Sequence, residues 1–217
     1  MTKSKALTPK PRLRGSSHQA AFFLALGACL VLLSQTADAR SFSAILIYTI
    51  GVCGLFGISA IYHRPHWDPI PRARLRRLDH AAIYLLIAGT FTPIGILGYG
   101  DERGLSMVKS LWCVAAVGIL LTIFWVRSPK WLNALLYVGV SWIGLSFFSP
   151  TGTTLAQSDI ALILAGGISY TVGAVIYALR RPNPWPLVFG YHEIFHALVI
   201  LGAFFHFIVV FGLVKTR

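Results

Sequence analysis

The side chains best suited to chemistry are His192 and His196, four residues apart, and His63, which follows Ser59 by the same interval. On a helix, a spacing of four stacks two side chains on one face about 5–6 Å apart, so His192 and His196 can offer two imidazoles to one metal ion. His63 on another helix supplies a third. Three protein ligands with an open fourth position is the arrangement of catalytic zinc, which draws the pKa of a bound water toward neutrality.

Carboxylates narrow the choice further. Asp38, Asp68, Asp101, Glu102 and Asp159 fall in connections or at the edges of apolar runs, which leaves Asp79 and Glu193 where helices enter the membrane. Ionisable groups at that depth cost a few kcal/mol and face a bundle interior or a cavity. His192-Glu193-Ile194-Phe195-His196 also matches the HExxH pattern of zinc proteases, with Glu193 as general base. An intramembrane protease would need a ligating carboxylate from a distant helix, and Asp79, followed by His80, lacks the usual Asp-Gly context. His18, His66 and His80, at helix ends near the head groups, read as interfacial. His206, about 15 Å beyond His196 along the same helix, reads as a packing or hydrogen-bonding residue near the outer leaflet.

The elements that position these groups follow from composition. Of 217 residues, 56% are hydrophobic and only 12% charged, about half the usual charged fraction, which excludes a soluble globular domain and intrinsic disorder. Cys29, Cys53 and Cys113 lie scattered in apolar runs without metal-ligand spacing, which excludes a disulfide scaffold. Seven apolar runs have membrane-spanning length: 18–34, 42–63, 79–98, 105–126, 131–148, 156–179 and 188–214. They are too long for barrel strands, and backbone polar groups in lipid must be satisfied internally, so they are helices. The fold class is an all-α seven-transmembrane-helix bundle, with 1–17 as a basic cytoplasmic tail, its first 15 residues flexible on the lipid surface, and 18–217 as a single membrane domain. The basic start, the apolar stretch at 20–33 and Ala37-Asp38-Ala39 imitate a cleavable signal peptide. The basic region is long for a signal and six further spans follow, so this segment reads as a retained first helix.

The formal net charge of +12 is a topology signal. Fourteen basic residues fall on the side of the N-terminus, among them Lys10, Arg14, Arg64, Arg72 and Arg76, and five on the other: Arg40, Arg103, Lys109, Lys215 and Arg217. The positive-inside rule places the N-terminus in the cytoplasm and the C-terminus outside. Partners are therefore membrane lipids, with anionic head groups at the cytoplasmic face, and the charge gives no reason to invoke nucleic acid. No protein partner follows from the sequence. Gly51, Gly54, Gly57, Gly166, Gly167 and Gly173 read as sites of close helix approach, Pro93 as a kink with threonine hydroxyls nearby, and Trp112, Trp125, Trp131 and Trp185 as an interfacial belt.

Three motifs carry a family resemblance: Ser59-Ala60-Ile61-Tyr62-His63; Arg77-Leu78-Asp79-His80-Ala81-Ala82-Ile83-Tyr84 continuing to Pro93; and Gly190-Tyr191-His192-Glu193-Ile194-Phe195-His196 with Gly202 and His206-Phe207. In this order they strongly resemble the haemolysin III family, a group that belongs with the progestin and adiponectin receptors and, more distantly, the alkaline ceramidases. The resemblance implies a multi-pass membrane protein, in the plasma membrane if bacterial, in which His63, His192 and His196 bind Zn2+. It further implies that Asp79 holds or deprotonates the water at the metal, and that Ser59 supports the site or helps polarise a substrate carbonyl. The sequence departs from many relatives in having no acidic residue shortly before His18, where Gly15-Ser16-Ser17 stands. Two function classes follow: zinc-dependent hydrolysis of a lipid amide or ester, and membrane permeabilisation or channel formation around a structural zinc site. A role in membrane lipid homeostasis is compatible with either.

Overall fold

The computed structural model describes residues 10–125, 129–147, 153 and 155–215. Lys3, Lys5, Arg127 and Arg217, the span ends expected at 126 and 148, and the first nine residues of the basic tail lie outside the described residues. The described residues form seven α-helices: α1 Ser16–Ser34, α2 Ala39–His63, α3 Pro69–Pro93, α4 Glu102–Phe124, α5 Lys130–Ser146, α6 Gln157–Leu179 and α7 Tyr191–Lys215. A π-helical turn, Ile94–Tyr99, continues α3. Six of these elements are long and apolar enough to cross a membrane, and Trp131–Ser146 is a shorter apolar helix. Large apolar side chains such as Phe23, Leu24, Phe124 and Phe204 point outward, as lipid-facing surface requires.

The helices pack as a ring in chain order, closed by α7 against α1, and α3 also touches α5 and α7. The span containing α3 is therefore the most enclosed, with 83% of its apolar window buried against 22% for α1. Where α2 meets α3, Gly51 permits backbone contact: a Cβ there would stand 2.8 Å from the Leu85 carbonyl oxygen. Gly166 leaves room for the His206 imidazole in the same way, whereas Gly54 and Gly167 meet nothing and do not mark close approach.

Helix ends follow local capping more than hydropathy. Asp38 and Ser41 form a reciprocal capping box at α2, and the Asp101 carboxylate accepts from the Gly104 N–H at α4. The helix α3 begins at Pro69, with proline in its first turn, well before the expected start at 79. Arg72, Arg74, Arg76 and Arg77 are thus helical and not part of a connection, since a helix satisfies its own backbone whether or not its side chains are apolar. The helix α7 begins at Tyr191 and not 188, because residues 185–189 close a turn through a Trp185–Phe189 bridge. Past Pro93, which lacks an N–H, the ladder widens into the π turn, and the Thr92 hydroxyl donates to the Ala88 carbonyl at 2.8 Å. Trp112 donates its indole N–H to Thr92 Oγ1 at 3.0 Å, so it packs inside and leaves the belt to Trp125, Trp131 and Trp185, which are exposed.

From Lys10 to Gly15, the segment expected on the lipid surface is bound to the bundle. The Arg12 and Leu13 N–H groups donate to the Leu187 and Val188 carbonyls at 2.9 and 3.2 Å. The Lys10 ammonium donates to the carbonyls of Arg64 and Pro65, just past α2. Arg14 pairs with Glu193 in the first turn of α7. Gly15 ends this strap at φ 77, a left-handed conformation that glycine adopts without strain, and a Cβ there would stand 2.7 Å from that of His63.

Candidate metal centre

His63 ends α2, and His192 and His196 occupy the first two turns of α7. Packing brings the three together: their ligand-competent atoms all lie within 4.8 Å of one another, and each residue is buried. The Nε2 atoms of His63 and His192 are 3.2 Å apart. Two nitrogens bound to one tetrahedral zinc at ordinary bond lengths would be about 3.3 Å apart, so this pair already has the edge length of such a site. The donor set is chemically suited as well, because neutral imidazole is a common zinc ligand.

The other expected site residues surround this cluster. Asp79 Oδ2 stands 3.7 Å from His63 Nε2, within reach of a small molecule placed between them. Ser59, one turn before His63 on α2, lies almost fully buried against His18, its Oγ 2.8 Å from His18 Nδ1. His18 was expected at the interface, yet it is only 2% exposed and its ring stacks on that of His196, centroids 3.8 Å apart and planes within 4°. Its Nε2 atom is buried without a hydrogen-bond partner. His18 therefore buttresses His196 and ties it to Ser59. The only sequence signal was its membrane level, shared with Ser59 and His63, because the contacts themselves come from helices distant in the chain.

Glu193 behaves differently from the general base of an HExxH motif. One carboxylate oxygen pairs with Arg14, the other accepts the Gly190 N–H at 2.8 Å, and the residue does not line the central cavity. It caps α7 and fastens the strap. His206 stands apart from the three candidate ligands: its Nε2 lies 3.2 Å from the Ile163 carbonyl, where the N–H can donate, so its role is helix packing as expected. His66 is exposed and His80 partly so, consistent with an interfacial position.

A cavity of about 1000 Å³ opens beside the three histidines. Asp79, Ser59 and His18 line it at the level of the cluster; Leu55, Ile87 and Val199 line it deeper in the bundle. Lys10, Arg72 and Arg76 line it toward the end that carries the strap. Tyr137 and Tyr177, from α5 and α6, complete the wall; nothing in the sequence marked them, since which face of each helix turns inward is set by packing.

Comparison with known proteins gives a consistent picture. A family model described as Haemolysin-III related matches residues 7–207. Hemolysin-3 of Bacillus cereus is 29% identical over 220 aligned residues, covering 100% of this chain and 97% of that protein. A Hemolysin-3 homolog of Bacillus subtilis (strain 168) is 32% identical, with 65% of this chain and 64% of that protein covered. The Adiponectin receptor protein of Drosophila melanogaster is 30% identical over 190 residues, covering 80% of this chain and 42% of that protein.

Proposed function

The chain belongs to the Haemolysin-III related family of integral multi-pass membrane proteins, and from that premise we propose that it is a zinc-dependent hydrolase of a lipid amide or ester. The observation that carries this reading is the buried His63, His192 and His196 cluster, set against Asp79 at the wall of a cavity that Leu55, Ile87 and Val199 line farther in. Zinc held by the three histidines would polarise a carbonyl and make a water nucleophilic at neutral pH.

The chain's own residues supply the rest. The apolar side chains Leu55, Ile87 and Val199 would accommodate an acyl chain and keep bulk water from the deep end. Asp79, beside His63, would take a proton from the attacking water and return it to the leaving nitrogen or oxygen as the C–N or C–O bond breaks. Ser59, held by His18, can orient the carbonyl oxygen or steady the histidine face. The protease alternative has no base in Glu193, whose carboxylate is occupied by Arg14 and the Gly190 N–H.

The second reading takes the names of the Bacillus relatives at face value, as membrane permeabilisation around a structural metal. One experiment separates the two: measure the metal content of the purified protein and its turnover of a panel of lipid amides and esters. About one zinc per chain and turnover lost in Asp79→Asn support the hydrolase. Full activity in metal-free protein overturns it, and lysis or conductance that survives loss of all three histidines supports the permeabilising reading.

A further inference from the structure

The side chains at the mouth of the cavity specify more than a generic lipid. Among the described residues that line it, Lys10, Arg14, Arg72 and Arg76 are basic and Asp79 is the one acid. Glu193 neutralises Arg14 from outside the cavity, and Asp79 sits against His63. The Lys10 ammonium donates to two backbone carbonyls, Arg64 at 3.3 Å and Pro65 at 3.1 Å. Burial, with Arg14, Arg72 and Arg64 close around it, holds that ammonium below the usual lysine range. Residues that merely report topology can extend into bulk solvent, where like charges are screened. Here they converge on a half-enclosed space, and such a concentration of one sign attracts an anion.

The order of residues along α3 gives the ligand a direction. Arg72, Arg76, Asp79, Ile83 and Ile87 all line the cavity and follow one helical face. By helical rise, Arg76 and Arg72 lie about 4.5 and 10.5 Å to one side of Asp79, and Ile87 about 12 Å to the other. A phospholipid has the same order: an anionic phosphate, a carbonyl a few bonds away, then a hydrocarbon chain. Guanidinium forks match phosphate oxygens in pairs, and a charge-assisted bond of this type outweighs a neutral one.

We propose that the cavity takes a lipid with a phosphate head group, seated against Lys10, Arg72 and Arg76 while its acyl carbonyl reaches the histidines. This deepens the hydrolase reading and rests on it for the fate of the carbonyl. A neutral head group, as in ceramide or diacylglycerol, brings no negative charge to the basic side chains that line the mouth.

Phosphatidic acid and diacylglycerol of identical acyl chains differ only in the phosphate and make the test direct. Full-length protein in neutral detergent is offered an equimolar mixture, and the retained lipid is counted by native mass spectrometry. The wild type is expected to favour phosphatidic acid by about tenfold, the worth of one charge-assisted hydrogen bond. Arg72→Gln with Arg76→Gln should abolish the preference and the paired Lys variants should restore part of it. Arg74→Gln, on the same helix but outside the cavity, should retain it. Equal retention of the two lipids by the wild type, or equal loss of preference in Arg74→Gln, overturns the proposal. Displacement of phosphatidic acid by equimolar inorganic phosphate also overturns it, in favour of a free-phosphate site. His63→Ala should retain the preference, so a protein that selects phosphatidic acid yet turns over no lipid counts against hydrolysis and leaves the head-group assignment standing.

Discussion

His18 and His196, from the first and last helices, stack face to face with ring planes within 4°. That contact, with the His18–Ser59 hydrogen bond, makes one unit of α1, α2 and α7 at the level where the three candidate ligands meet. An imidazole stacked on a second one is oriented before any metal arrives, and such supporting partners commonly matter to metal affinity.

Replacing any one of His63, His192 or His196 by Ala should remove bound zinc. Wild-type protein is expected to keep about one zinc per chain through dialysis against a mild chelator, and each variant to fall about tenfold or more below it. Elemental analysis beside circular dichroism checks this, with helix content unchanged, because the ligands lie at helix ends and most of each helix packs elsewhere.

Asp79→Asn should separate binding from chemistry. The amide keeps the shape of the side chain and loses the proton acceptor, so zinc content should be retained while lipid turnover falls by about 10²- to 10⁴-fold, the usual worth of a general base. Loss of zinc in this variant would mean that Asp79 acts through the metal site and not on the proton.

His18→Ala should weaken zinc binding by about 10- to 100-fold without changing the ligand set. Competition titration against a chelator measures the shift. Ser59→Ala should move affinity in the same direction, and combining it with His18→Ala should add little, because the two side chains bond to each other.

Arg14→Ala should lower thermal stability more than removing both members of its ion pair. The Glu193 side chain is only 3% exposed, so loss of Arg14 leaves a buried carboxylate that still accepts the Gly190 N–H but has lost its counter-charge. The expected cost is about 3 kcal/mol, and Arg14→Ala with Glu193→Gln should recover much of it, since the buried charge is then gone. Unfolding in detergent, read as a double-mutant cycle, gives the coupling. An Arg14→Ala variant as stable as the wild type would show that this ion pair contributes nothing to the fold.

Much of the architecture was legible because a bilayer imposes lengths on the chain: a run of about 20 apolar residues reads as a spanning helix without any tertiary knowledge. The pairing of His192 with His196 was legible for an equally local reason, since a spacing of four fixes two side chains on one face of any helix. The shared membrane level of Ser59, His63 and Asp79 followed from the alternation of spans. Helix ends were less legible. The basic turns of α3 were read as a connection because hydropathy marks the membrane slab and not the helix, which continues wherever its backbone bonds can form.

The roles of His18, Glu193 and Lys10 were decided by tertiary structure alone. Each has a local context that points elsewhere: an interfacial histidine, a metalloprotease motif, a basic tail. Their partners are instead Ser59 and His196, Arg14, and the carbonyls after α2, separated from them in the chain by 41 residues at the least. The sequence by itself determined a membrane bundle, its helices and the histidines able to meet at one level, because these depend on residue type and local periodicity. Only the packed chain decided which side chains face one another across the cavity, because that depends on how each helix is rotated against its neighbours, and no short stretch of sequence carries that angle.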